Sequence, residues 1–278
     1  MPISVEPLAK SIAAEVSGAD LGAALSEGDF NAVHDAFLEH SVLVFRGRSQ
    51  TPALTPDRHI ALTRRFGEAE VHMLDQFHHA DHPEILILSN GKDSGGKPLG
   101  LEDAGRYWHT DVSYTHRPSM ASFLYAHDVP PKGGDTVFAS TRAAYDALSA
   151  DWKARLQGLR AVHGLNRITA PKFTDEQFAA LDYVEHPLVR THPETRRKAI
   201  YTGAFALSVA GLPENESRGI LEFLADHCAK PEFQYRHAWR AHDLVMWDNR
   251  CVVHHATGFD RKHLRHMHRT TVAGGVPV

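Results

Sequence analysis

The run Tyr107-Trp108-His109-Thr110-Asp111 puts an imidazole and a carboxylate two residues apart in a stretch that reads as extended. Side chains at i and i+2 of an extended chain share a face, so His109 and Asp111 can reach one point together. Two ligands do not hold a metal, and a third has to come from elsewhere. The best source is Trp247-Asp248-Asn249-Arg250-Cys251-Val252-Val253-His254-His255-Ala256, where an apolar stretch leads into two histidines. Neighbours on an extended chain point to opposite faces, so one of His254 and His255 joins the site, and spacing does not choose between them. Two imidazoles and one carboxylate on one face of an octahedron suit Fe(II) and leave positions open for a chelating co-substrate and O2.

A second signal comes from Leu264-Arg265-His266-Met267-His268-Arg269-Thr270-Thr271. A period of two puts Arg265, Met267, Arg269 and Thr271 on one face. If that face points inward, two guanidiniums enter an apolar interior, which is costly without anionic partners. Either nearby carboxylates pair with them, or the site binds carboxylate-like ligands by bidentate contacts.

These residues need a scaffold. The chain has 278 residues, enough for one large domain, and its 42% hydrophobic content can bury a substantial core. A net charge of −4 gives no basic field to recruit nucleic acid. Two cysteines are too few for a secreted disulfide framework. The first residues show no signal-peptide pattern, and no apolar run approaches the roughly 20 residues of a membrane span. A cytoplasmic protein without membrane contact is the expectation.

Ser26 to His40 reads as an amphipathic helix with a Ser26/Asp29 cap. A second helix starts at Thr55-Pro56 and stops at Gly67. Runs at 41–45, 85–88, 122–126, 136–138 and 244–247 read as strands, as does 264–272. The span 233–239 alternates as a half-buried strand. Many short strands in the second half, with helices early and inserted, predict a mainly β protein: a sandwich or jelly roll with helical decoration. The segment from Ser89 to Gly105 is rich in Gly and charge and runs straight into His109, which suits a lid.

Trp108-His109-Thr110-Asp111, Gly133-Gly134-Asp135-Thr136, Trp247-Asp248-Asn249-Arg250 leading to His254, and Met267-His268-Arg269 occur in one order and spacing. Arg65-Phe66-Gly67 and the stretch from His186 to Pro193 add to them. With these motifs the chain resembles the taurine/2,4-dichlorophenoxyacetate dioxygenases over nearly its whole length. The resemblance implies a double-stranded β-helix core, Fe(II), and 2-oxoglutarate and O2 as co-substrates. It makes His109, Asp111 and His254 the iron ligands and prefers His254 to His255. It assigns the 2-oxoglutarate carboxylate to Thr136 and Arg265 and the substrate anion to Arg269. It also sets His72 against the substrate, with Asp75 and Tyr107 as further substrate-side candidates. It implies one domain over 1–278 with a lid at about 72–107, and a homo-oligomer, dimer or tetramer.

Two positions depart from the taurine-acting members. Asp75 replaces an aromatic hydroxyl and Gly105 replaces an Asn, which argues against a taurine pocket. The reaction implied is hydroxylation of a substrate C–H with release of succinate and CO2. The substrate would be a small anion such as a sulfonate, phenoxyalkanoate or alkyl sulfate. The alternatives are the same chemistry on an amino-acid-derived or biosynthetic substrate, a zinc hydrolase, and a non-enzymatic jelly-roll binding protein.

Overall fold

The computed structural model describes residues 2–47, 54–102, 105–166, 168 and 172–278. The fold is mainly β. Its main sheet has eight strands in the order Ser4–Pro7, Ala14–Ser17, Val42–Phe45, Leu244–Asp248, Ala121–Asp128, His266–Val272, His82–Ser89, His78–His79. All pairs in it are antiparallel except that of Ala14–Ser17 with Val42–Phe45. A three-stranded sheet, Gln234–His237, Thr136–Ser140 and Val252–Ala256, faces it. Apolar side chains of both sheets form one core: Leu124, Val245, Trp247 and Met267 from the first meet Phe138 and Val252 from the second. Phe138 and Trp247 approach to 5.4 Å between ring centroids. Alternation along the strands fixes the other face, where Phe123, Leu43 and Met246 pack with Phe37 and Leu62 of the helices Glu27–His40 and Pro56–Phe66.

Both early helices begin as their sequences predict. The Ser26 side chain accepts from the Asp29 N–H, and the Thr55 side chain accepts from the Arg58 N–H with Pro56 in the first turn. The strand expected over 233–239 is shorter, at Gln234–His237, because Pro231–Phe233 forms a single 3-10 turn and the chain leaves the ladder after His237. Strands at Val184–Pro187 and Ala206–Val209, which the sequence does not announce, complete a small sheet with Arg160–His163. Val184 and His186 point inward and Glu185 outward, but the run is only four residues long and is closed by Pro187, too short to stand out along the chain.

The expected lid boundaries need correction. The range 72–107 contains His82–Ser89, a central strand paired with His266–Val272, with Ile85, Leu86 and Leu88 in the core. Such a strand cannot open without unzipping the sheet. The described residues that can cover anything lie on either side of it, at 72–77, 90–102 and 105–107. Asp103 and Ala104 lie outside the described residues.

Candidate metal centre and substrate chamber

The stretch 107–111 is not a strand. His109 makes a single bridge with His254, and Asp111 begins a turn. The bridge is reciprocal: His109 N donates to His254 O at 3.0 Å, and His254 N donates to His109 O at 2.8 Å. It locks two chain segments, far apart in sequence, side by side. His109, Asp111 and His254 are all buried, and their ligating atoms lie within 4.8 Å of one another. His255, one residue on, turns the other way and packs on the Trp108 ring at 4.4 Å.

The ligating atoms of this cluster converge on one place. The Tyr107 carbonyl lies 2.9 Å from His109 Nδ1 and can only accept, so that nitrogen carries the proton. Nε2 is then a bare acceptor, 3.7 Å from Asp111 Oδ1. A backbone carbonyl fixing the tautomer in this way is the support that metal-bound histidines usually have. Burial raises the Asp111 pKa, but Arg269 and the two histidines outweigh it and hold the carboxyl well below the usual range. Burial and the nearby His109 hold His254 well below its ordinary value, as a neutral imidazole. Two neutral imidazoles and a carboxylate, converging in a dry site, form a donor set that fits a divalent first-row ion.

The cluster stands where two cavities meet. His254 lines one and Asp111 the other, and His109, Arg106 and Arg269 line both. The first cavity also carries Thr136 and Arg265. Thr136 Oγ1 accepts from Trp239 Nε1 at 3.0 Å, which leaves its hydroxyl proton for a ligand. Arg265 Nε donates to Gly134 O at 3.3 Å, and burial, with Arg106 nearby, lowers its pKa to about 10, so it stays cationic at neutral pH. The Gly133-Gly134 turn makes this possible. Both glycines have positive φ, and a Cβ on Gly133 would stand 2.5 Å from Gly258 O.

The second cavity has aromatic walls, from Tyr107, Tyr114, Phe173 and Phe205. His72 lines it too, with Nδ1 accepting from Leu74 N at 3.1 Å and its pKa lowered to about 3 by burial and by Arg269. Arg269, expected to face a substrate anion, spends Nη1 on Asp111 Oδ1 at 2.9 Å. Asp75 does not line either cavity. It is exposed on a 3-10 turn and accepts from Gln177 Nε2 at 3.2 Å, because the turn points its side chain away from the chamber. Gly105 lies on the cluster itself: at φ +69°, a Cβ there would meet His109 Cε1 at 2.5 Å. The side-chain-free position lets the loop rest on the imidazole.

Sequence reading missed the chamber walls at 114, 173 and 205 and the buried polar residue Ser122. Lone aromatic or serine positions carry no periodic signal, and only the tertiary fold gathers them.

A mainly β fold with a His-Asp-His cluster beside a basic subsite is that of the 2-oxoglutarate-dependent oxygenases. Within that class, the chain belongs to the taurine catabolism dioxygenase TauD, TfdA family, whose model matches residues 4–271. It is 38% identical to an alpha-ketoglutarate-dependent 2,4-dichlorophenoxyacetate dioxygenase from Cupriavidus pinatubonensis, over 98% of each chain. Its structure superposes on the crystal structure of a taurine dioxygenase from Burkholderia xenovorans with a TM-score of 0.84 at 34% identity, covering 100% of this chain and 93% of the other. The structure of AAD-2 in complex with Mn(II) and N-oxalylglycine matches equally, with a TM-score of 0.84 at 34% identity over 100% and 99% of the two chains. The protein is thus an Fe(II)- and 2-oxoglutarate-dependent dioxygenase that uses O2 and acts on a small molecule.

Proposed function

We propose that this enzyme hydroxylates an aryloxyalkanoic acid at the carbon next to the ether oxygen, with His109, Asp111 and His254 as the iron ligands. The observation that carries the substrate class is the ring of Tyr107, Tyr114, Phe173 and Phe205 beside the cluster, with the cations Arg106, Arg269 and Lys172 at the same chamber. An aryl group favours such walls through area burial and edge-to-face contacts. A carboxylate favours the guanidiniums. The relative from Cupriavidus pinatubonensis, named for a chlorinated phenoxyacetate, supports the same class.

Fe(II), once bound with 2-oxoglutarate and O2, supplies the oxidising power that inserts one oxygen into the substrate C–H and yields succinate and CO2. The chain's own residues supply the geometry. Thr136 and Arg265 hold the far carboxylate of 2-oxoglutarate in the first cavity. Arg269, bonded to Asp111, still has donors to orient a substrate carboxylate so that one C–H faces the cluster. His72 stays neutral and presents an imidazole edge, and Tyr107 closes the wall above His109. The segments 72–77, 90–102 and 105–107 act as covers of a single domain, and Arg261 ties down Glu102 at 3.4 Å. The two facing sheets correspond to a double-stranded β-helix. Two buried free cysteines suit a reducing cytoplasm, and membership of the family is what supports a homo-oligomer there.

Hydroxylation next to an ether oxygen gives a hemiacetal; its C–O bond to the aryl oxygen breaks, the hydroxyl proton passes to that oxygen, and a phenol and a 2-oxo acid are released. The test is succinate and phenol release with Fe(II) and ascorbate across phenoxyalkanoates, sulfonates, alkyl sulfates and amino acids. Phenoxyalkanoates should give the highest kcat/KM. Preferred turnover of a sulfonate or an alkyl sulfate would overturn the substrate class.

A further inference from the structure

Trp247, Asn249 and Ser122 play no part in the chemistry described so far, yet they converge behind Asp111. Asn249 Oδ1 accepts from Trp247 Nε1 at 3.0 Å and from Asp111 N at 3.3 Å. Both partners are donors only, which settles the orientation of the amide. Its NH2 group therefore faces Ser122, and Nδ2 donates to Ser122 Oγ at 2.9 Å. The one proton of Ser122 then goes to Asp111 Oδ2 at 2.6 Å. The relay runs one way, from indole to amide to hydroxyl to carboxylate. Its members are at most 3% exposed.

The backbone holds the relay rigidly. Ser122 and Trp247 are paired partners in adjacent strands. Asn249 N donates to Met120 O at 2.9 Å, and Thr110 Oγ1 donates to Asn249 O at 2.7 Å. On the opposite side, Arg269 Nη1 donates to Asp111 Oδ1 at 2.9 Å and leaves Oδ2 to Ser122. A carboxylate released from Ser122 could rotate into a bidentate pair with that guanidinium, which competes with a metal for the same oxygens.

We propose that Asn249, acting through Ser122, is a positioning residue that holds the Asp111 carboxylate in its metal-binding orientation against capture by Arg269. This rests on the assignment of His109, Asp111 and His254 as the metal ligands. Supporting hydrogen bonds of this kind are typically worth about 10–100-fold in metal affinity.

The experiment is a titration of the apoprotein with Mn(II), with free ion read by electron paramagnetic resonance, and with the visible spectrum of the Co(II) form as reporter of coordination. Ser122→Ala should raise the Mn(II) Kd about 10-fold or more and alter the Co(II) spectrum, while the Tm of the apoprotein stays close to wild type. Asn249→Asp removes the donor to Ser122 and should reproduce that effect, and the double variant should be no worse than either alone. If Asn249→Asp fails to fold, Ser122→Ala, which removes only one oxygen, still decides. A Kd within about twofold of wild type and an unchanged Co(II) spectrum for Ser122→Ala would overturn the proposal. His254→Ala is the separate check. If it binds Mn(II) like wild type, the ligand assignment itself fails; if it loses binding while Ser122→Ala does not, only the positioning role fails.

Discussion

His109, Asp111 and His254 bring three ligating atoms within 4.8 Å, and so do His192, Asp248 and Cys251. Both groups are buried, and both combine imidazole with a carboxylate. Their hydrogen bonds separate them. His192 Nδ1 accepts from the Glu194 and Thr195 N–H groups, and Nε2 donates to Asp248 Oδ2 at 2.9 Å. Arg250 donates to both oxygens of Asp248, each at 2.8 Å. Burial would lower the Arg250 pKa, but Asp248 more than compensates and raises it. The Cys251 thiol donates to Ser41 Oγ at 3.3 Å, and burial pushes its pKa up to about 12. A guanidinium already fills the role of the cation, and no lone pair points at an empty place. In the first group the Nε2 lone pair of His109 faces Asp111, and His254 Nδ1 has no hydrogen-bond partner among the described residues. The bare His109 nitrogen and the cavity beside it favour the first group as the proposed metal centre; a tally of ligating residue types does not separate the two.

The largest expected effect breaks this comparison directly. His109→Ala or His254→Ala should abolish substrate-dependent succinate formation, whereas His192→Ala should leave the bound metal in place. Asp248→Asn should instead cost stability, about 3–5 kcal/mol, because it leaves Arg250 buried with its main partner neutralised. Thermal or denaturant unfolding reads that loss, and a Tm equal to wild type would show the second cluster to be dispensable.

Next in size is the division between the two guanidiniums. Arg265→Ala should raise the KM for 2-oxoglutarate about 10–100-fold, the worth of a charge-assisted contact. Arg269→Ala should act chiefly on the KM of the prime substrate and on metal retention. Steady-state kinetics with each substrate varied in turn would expose a reversal.

The smallest effect comes from histidines with neither a metal nor a carboxylate bond. His127 and His268 stand 4.1 Å apart between ring centroids, with His266 and His79 close by. Burial and neighbouring imidazoles lower His127 to about 4 and His268 to about 2; burial takes His59 and His163 to about 3. Below pH 6.5 the unfolded chain binds protons that the folded one refuses, so stability is full above about pH 6.5 and falls as pH drops towards 4. The Tm should decline over that interval, and His127→Gln should flatten the decline.

Much of this was legible in the sequence because it is local. The caps at Ser26 and Thr55, the strand at 244–248 and the inward period of Arg265, Met267 and Arg269 follow from neighbours along the chain. The choice of His254 over His255 did not follow from spacing; the bridge to His109 makes it. Asp75 pointed the wrong way because three residues after His72 a 3-10 turn intervenes. A lid over 72–107 crosses the strand that the apolar run at 85–88 already announces; loop-like composition flanks that run on both sides, and only its ladder with His266–Val272 separates the two flanks. Ser122 and Phe205 reach the cluster through partners 11 and 96 residues from them, at Asp111 and His109, where no pattern along the chain reaches; the ring of Phe205 stands 5.7 Å from that of His109.

The most direct measurement of the central claim is metal content after loading with Mn(II) and desalting, in wild type, His254→Ala and His192→Ala. The account predicts one tightly held ion per chain in wild type, none in His254→Ala, and one again in His192→Ala. Retention of the ion in His254→Ala together with its loss in His192→Ala would contradict it.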